Sequence, residues 1–432
     1  MELKLAYKLT EVGAIPEEWE VAPLNREIDR LEAGVSVNSV DERVSTYSHE
    51  ESILKTSAVA GGRFLPLEAK KIAPHDIKRA KLNPQRNSII ISRMNTLDLV
   101  GECGYVYADF PNLFLPDRLW MTRMRSGSKV NVRWLNYLLS SASYQARIRG
   151  LATGTSGSMK NIAKDKVLAM PVPYPPSSEQ DAIAATLSDA DALLEGLDRL
   201  IAKKRDLKQA AMHELLTGRT RLPGFTGEWE VKGLDDLGVW KGGMTPPMQN
   251  SDYWRGGDIP WISSSDVKGA RITETTQYVT QLAVKQRATS VIPSSSIIIV
   301  TRSGILRRYL PVAMNVGPMA INQDVKALIP SAALNSDYLL HVLIWSGGRI
   351  LTRCLKVGTT VESIEFRWLK AFEIPVPALP EQIAIAAVLS DMDAELSALE
   401  ARRDKTLALK QAMMQELLTG RTRLVLAFET NG

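Results

Sequence analysis

Cysteine is nearly missing from the chain: Cys103 and Cys354 are the only two, and they fall in different halves. Two such thiols cannot build a disulfide framework, so the expectation is reduced, buried thiols in a cytoplasmic protein. Long apolar runs are missing too. Ser296–Val300 is among the longest, against the ~20 residues that cross a bilayer. The opening MELKLAYKLTEVG has no apolar centre and no small-residue cleavage site, so neither a secretory signal nor membrane association is expected. Histidine is scarce, at His49, His75, His213 and His341, and no Cys/His pair stands at ligand spacing. A zinc site is therefore not expected.

The signatures of several reactions are missing as well. There is no GxxxxGK[ST] loop for a nucleotide triphosphate and no G-x-G-x-x-G after a strand. GTSGSMK at 154–160 is Gly/Ser-rich before a lysine, but its spacing is wrong. TPPM at 245–248 and YPPS at 174–177 do not make the polar-Pro-Pro-aromatic motif of amino-methyltransferases. No G-x-S-x-G elbow occurs. The Asp-Val-Lys tripeptides at 266–268 and 324–326 have a form found in some nucleases, but such short matches are common. No catalytic residue, metal or cofactor is assigned to this chain.

What is present is repetition. ELLTGRTRL occurs at Glu214–Leu222 and again at Glu416–Leu424, 202 residues later. The offset holds back to Glu179-Gln180 and Glu381-Gln382, through LSDADA and LSDMDA and through KQAAMHELL and KQAMMQELL. EEWEV at 17–21 and GEWEV at 227–231 echo each other further upstream. At 432 residues the chain exceeds one compact core. The repeat divides it into globe, helix, globe, helix: 1–176, 177–221, 222–378 and 379–424, with a tail at 425–432.

Both repeated stretches read as long helices. Apolar residues step by four and three: Ile183, Leu187, Ala190, Leu194, Leu197 and Ile201 in the first; Ile385, Leu389, Met392, Leu396 and Leu399 in the second. That is an a/d seam, which needs a partner helix, and the simplest partner is the other copy. Ser177 and Gln180 stand at capping-box spacing, and Pro380 stands where a first-turn proline is tolerated. Gly218 and Gly420 follow the last leucine pair, where a left-handed residue ends a helix. The fold expected is α/β (α+β): two mixed α/β globes and an antiparallel pair of long helices with internal pseudo-twofold symmetry.

The globes scarcely resemble each other. NSIIISRMNT (87–96) matches SSIIIVTRSG (295–304), aligning Arg93 with Arg302, and LNYLLSS (135–141) matches SDYLLHV (336–342), aligning Tyr137 with Tyr338. Their loops are basic, and the net charge is +5, which favours a polyanionic partner. The first globe offers Lys78, Arg79, Lys81, Arg86, Arg93 and Asn95; the second offers Lys285, Arg287, Arg302, Arg307, Arg308, Asn322 and Gln323. Arg and Lys neutralise phosphates; Arg reads guanine, and Asn or Gln reads adenine, in the major groove. These are the candidate DNA-binding residues. A coiled-coil scaffold that touches no DNA is the alternative.

The paired blocks PVPYPPSSEQ…LLTGRTRL and PVPALPEQ…LLTGRTRL resemble the specificity subunits of type I restriction–modification systems. GTSGSMKNI (154–162), GTTVESI (358–364) and YWRGGDIPWISSSDVKG (253–269) add to the resemblance, which covers essentially the whole chain. It implies two target-recognition domains, each reading half of a bipartite, asymmetric site on double-stranded DNA. It implies a helix pair that sets the spacer and docks two modification subunits, which methylate adenine N6 with S-adenosylmethionine. A restriction subunit would use ATP and Mg. None of that chemistry would belong to this chain.

Overall fold

Alternating and continuous apolar runs become strands at equivalent places in the two halves. The structure, a computed structural model, describes residues 6–43, 50–154, 159–356 and 361–424. The expected tail at 425–432 and parts of the two GT segments lie outside the described residues. The chain divides into two compact units: Met1–Gly196 with Arg402–Gly432, and Leu197–Ala401. The division falls inside both long helices, so each unit owns half of each.

In the first unit a sheet runs in the order Ile28–Ala33, Leu119–Met124, Ser88–Ser92, Cys103–Val106, then two short strands, Gly62–Phe64 and Val59–Ala60. In the second unit the order is Gly238–Gly242, Val325–Pro330, Ile297–Val300, Val312–Asn315, Arg271–Ile272. The first four strands correspond one to one and are antiparallel in both. Ile89, Ile90 and Ile91, and Ile297 to Val300, are buried on both faces. That explains why these central strands read as unbroken apolar runs rather than alternating ones. A four-stranded sheet completes each unit: Leu113–Phe114, Ser52–Leu54, Ala69–Ile72, Ser39–Arg43 in one, and Gln277–Val279, Ile259–Ile262, Met319–Ile321, Val291–Ile292 in the other.

Each globe sends one amphipathic element toward the long helices. Asn131 caps Val132–Ser140 by accepting from Trp134 N, and Asn335 caps Ser336–Cys354 by accepting from Tyr338 N. These caps correct the alignment read from sequence. Trp134, not Tyr137, stands where Tyr338 does, and Tyr137 stands where His341 does. The shared Tyr-Leu-Leu lies one helical turn out of register, because the cap asparagine, not the tyrosine, sets the start.

The long helices span Ser177–Leu216 and Leu379–Leu417 and run unbroken through Gly196. Within the second unit Lys204 pairs with Glu395 at 2.7 Å and Lys208 pairs with Asp393. Within the first, Asp191 pairs with Lys410 at 2.6 Å. Partner numbers fall as residue numbers rise, so the helices are antiparallel. Ile183, Leu187, Leu194, Leu197, Ile201, Ile385, Leu389 and Leu396 are buried, while Met392 and Leu399 are half-buried. Each fully buried Leu or Ile contributes ~1.5–3 kcal/mol, so the seam holds the pair and the surface ion pairs add little. Gly218 and Gly420 close the helices in the left-handed region, at φ 70° and 71°. Gly420 also packs so closely on Pro16 that a Cβ would lie 2.5 Å from that ring.

The capping box does not form. Gln180 is buried and turns away from Ser177: its Nε2 donates to Pro175 O, and its Oε1 accepts from Asn131 N. Gln382 does the same with Pro377 O and Asn335 N. Each glutamine thus ties a long helix to the cap of its own globe's helix. The glutamates beside them are buried as well. Glu179 accepts from Trp19 Nε1 at 3.0 Å and from Arg423 at 2.7 and 2.9 Å. Glu381 accepts from Trp229 Nε1 at 3.1 Å and from Arg221 at 2.6 and 2.7 Å.

Candidate nucleic-acid interface

In both units an arginine follows the central strand of the large sheet within two residues, and three chain segments meet there. In the first unit Arg93 N donates to Arg118 O, and Ile162 N donates to Arg93 O. The short strands Met94–Asn95 and Lys160–Asn161 pair beside it. In the second unit Arg302 N donates to Asp324 O, and Ile364 N donates to Thr301 O. Arg302 bridges Ser363. The segments ending in Ile162 and Ile364 occupy the same place, but Ile162 bonds Arg93 whereas Ile364 bonds Thr301. The sequence match of Arg93 with Arg302 is therefore out by one residue: Thr301 stands where Arg93 does, and Arg302 stands where Met94 does.

The side chains differ. Arg93 is half-buried: its Nε donates to Asn161 Oδ1 at 3.2 Å, and its guanidinium lies 5.9 Å from the Trp120 ring. Arg302 is exposed and, among the described residues, its side chain makes no hydrogen bond or ion pair. Arg307 follows on a 3-10 turn, Gly304–Arg307, capped by the Ser303 hydroxyl. Its Nε donates to Glu362, a buried carboxylate whose pKa that contact holds below the usual range. Arg308 is exposed and unpaired among the described residues.

The turn at 322–324 completes the second cluster. Asn322 is buried, and its Oδ1 accepts from Asp324 N, so its amide shapes the turn rather than facing outward. Gln323 is exposed and hydrogen-bonds Thr245. Met244 O accepts from Thr289, which brings the 284–290 loop alongside. Lys285 and Arg287 on that loop are exposed, Arg287 with φ 58°. The structure thus gathers Arg302, Arg307 and Gln323 at one edge of the sheet, with Lys285 and Arg287 on the adjoining loop.

The first unit is less concentrated. Lys78 and Arg79 end the 3-10 turn Pro74–Arg79. Asp76 accepts from Asn38 N, then from Arg79, and its pKa is held low in that order of cause. Ser36, two residues before Asn38, donates to Asp117, whose own carbonyl accepts from Arg93. A short polar relay therefore joins the Arg79 turn to the Arg93 junction. Lys81 is exposed. Asn95 spends its amide locally, on Ser92 and Thr96 N. Arg86 is not part of the junction. It precedes Ser88–Ser92 while Arg93 follows it, so the two stand at opposite ends of that strand, with its five residues, ~16 Å of extended chain at ~3.3 Å per residue, between them.

Three residues of the junctions were not among the sequence candidates. Arg118 is exposed beside Arg93, and Asn161 and Glu362 hold the arginines. Asn161 and Glu362 sit just before the isoleucines of the two GT segments, and that placement was the available signal. Among the described residues no group of His, Cys, Asp or Glu is arranged to hold a metal ion, and no helix is long and apolar enough to cross a membrane.

This architecture defines a class: two α/β sheet domains of one plan joined through an antiparallel helix pair. Residues 226–409 match the type I restriction modification DNA specificity domain. The chain is 34% identical over 236 residues to the specificity subunit of a type I restriction enzyme of Escherichia coli. That match covers 54% of this chain and 57% of the relative's length. A type I restriction enzyme specificity subunit of Methanocaldococcus jannaschii is 21% identical over 425 residues, covering 95% of this chain and 94% of that one. The fold is that of a crystal structure of a type I restriction–modification S subunit from M. genitalium, with a TM-score of 0.59 and 19% identity over 95% of this chain and 97% of the other.

Proposed function

We infer that this chain is the DNA-reading, non-catalytic subunit of a cytoplasmic type I restriction–modification complex. Each unit reads one half of a bipartite, asymmetric site on double-stranded DNA. The long helices dock two modification subunits and set the unread spacer. S-adenosylmethionine belongs to those modification subunits, and ATP and Mg belong to a restriction subunit. The observation that carries this reading is the pair of arginine junctions. They stand at one place in a repeated scaffold but carry different side chains, as two readers of different sequences require.

The test is a selection. The chain assembled with a methyltransferase partner is mixed with random duplexes, and the retained sequences are read. Two fixed half-sites at constant spacing are expected. Replacing residues 232–373 with the equivalent globe of a relative is expected to change one half-site and leave the other. Retention of no preferred sequence would favour a scaffold without DNA readout.

A further inference from the structure

Among the basic residues of the second unit, Arg307 is held in an unusual way. Its side chain is 69% exposed, yet its Nε is fixed by Glu362, whose own side chain is only 7% exposed. Both terminal nitrogens of the guanidinium are without a partner among the described residues. The carboxylate is itself held in place. Glu362 O accepts from Ser303 N, and the Ser303 hydroxyl caps the turn that carries Arg307. One Glu362 oxygen, Oε2, is buried and unpartnered. A buried carboxylate is costly to leave half-satisfied, so its retention here calls for a reason.

We propose that Arg307 is a guanine-reading residue of the second half-site and that Glu362 is its positioning residue. This deepens the DNA-reading function proposed above and rests on it. Guanine offers O6 and N7 in the major groove, and the arginine fork matches them bidentately through its terminal nitrogens. Reading demands that the fork be fixed before contact, because a freely rotating arginine loses side-chain entropy on binding. Glu362 fixes Nε and leaves the fork open. Arg302, exposed and unheld, suits a phosphate, where geometry is forgiving. Arg93 is the counterpart held by Asn161, but the Asp117 carbonyl already accepts from its Nη1 at 3.4 Å. Its fork is not open, so the first unit does not read guanine through that residue.

The position before the bridging segment also differs in charge: Lys160 in the first unit, Glu362 in the second. Lys160 turns back on its own loop, donating to Gly154 O at 2.7 Å. The buttress is thus a feature of the second reader alone.

The experiment uses the full chain with a methyltransferase partner and the random-duplex selection. Arg307→Lys keeps the charge and can still reach Glu362, but has no fork. It is expected to lose preference for guanine at one position of one half-site, by tenfold or more, with the other half-site unchanged. Glu362→Gln, which keeps a hydrogen-bond acceptor for Nε, is expected to retain most of that preference. Glu362→Ala is expected to lose it. The intact opposite half-site in each variant reports that the protein is folded. If the native protein selects a bipartite site and Arg307→Lys leaves every position unchanged, Arg307 does not read a base. A guanine preference that survives Glu362→Ala would overturn the buttress. If the native protein selects no site, the underlying DNA-reading function fails instead.

Discussion

Removing Glu179 tests whether the helix ends are clamped by buried charge. Its side chain is 4% exposed, and that of Arg423 is 7% exposed. The two are joined by paired hydrogen bonds at 2.7 and 2.9 Å, with Trp19 Nε1 donating to the same carboxylate at 3.0 Å. Deleting Glu179 leaves the buried Arg423 with only the exposed Glu18, 2.8 Å away, so the cost is on the order of 3 kcal/mol, the low end for a broken buried pair. Glu179→Ala also orphans the Trp19 donor. For a unit of this size each kcal/mol moves the midpoint by roughly 2–4 °C, so a fall of about 6–12 °C is expected by calorimetry. The double variant Glu179→Ala, Arg423→Ala removes both charges. Its loss is expected to be smaller than the sum of the two single losses, because the second deletion relieves the charge stranded by the first. Strict additivity, or a single-variant shift under about 2 °C, would refute the clamp.

Three further outcomes follow from the geometry. Arg79→Ala or Lys81→Ala is expected to weaken DNA binding evenly across sequences and to lower the salt slope by about 1 if the residue meets phosphate; titration at several salt concentrations reads this. His341 is buried beside Ser390, with Asp393 at 4.0 Å; Lys208 is paired to Asp393, and Asp337 and Arg271 stand further off. Burial outweighs the nearby carboxylates and lowers its pKa, so the folded state binds the proton less readily than the unfolded one. Stability from this site is present above about pH 6.5 and falls as pH descends below it; His341→Gln is expected to flatten that limb of the melting profile. Inserting four residues in each long helix, before Leu197 and before Arg402, adds about 6 Å with the apolar face nearly preserved. It is expected to lengthen the unread spacer by one or two base pairs at ~3.4 Å each, read by methylation mapping. Inserting in one helix alone would force either Asp191–Lys410 or Lys208–Asp393 out of register.

Local signals carried the long helices. Their seam repeats every three or four residues, and their ends are marked by glycines with a positive φ, so both were legible before any fold was known. The roles of Glu179 and Glu381 were not. Each meets its arginine and tryptophan across more than a hundred residues of chain, and nothing in a Pro-x-x-x-Glu-Gln segment announces that. The globe helices were misaligned by one turn, because an identical Tyr-Leu-Leu outweighed the less conspicuous cap asparagines. The basic candidates were legible as a set but not as a site. Arg86 and Arg93 are close in sequence yet separated by a fully extended strand, while Arg307 and Glu362 are distant in sequence and touch.

The structure also changes what the repeated nonapeptide means. Such identity suggests two copies of one external partner, but most of its residues have an internal duty at both places. Glu214 and Glu416 accept through their backbone carbonyls from Thr220 N and Thr422 N, and through their carboxylates from the same threonine hydroxyls. Leu215, Leu216, Leu417 and Leu418 are buried. The Thr217 and Thr419 hydroxyls donate to the carbonyl four residues back. The two glycines close the helices, and Arg221 and Arg423 reach the buried glutamates. Identity there follows from the chain clamping itself twice. The case for two identical docked subunits therefore rests on repeated residues that face solvent. Leu207 and Leu409 are 47% and 59% exposed, and Gln209, Ala210, Gln411 and Ala412 beside them are exposed as well. An exposed leucine kept at both equivalent places is not explained by folding, so that face, not the nonapeptide, is where a docked subunit is to be sought.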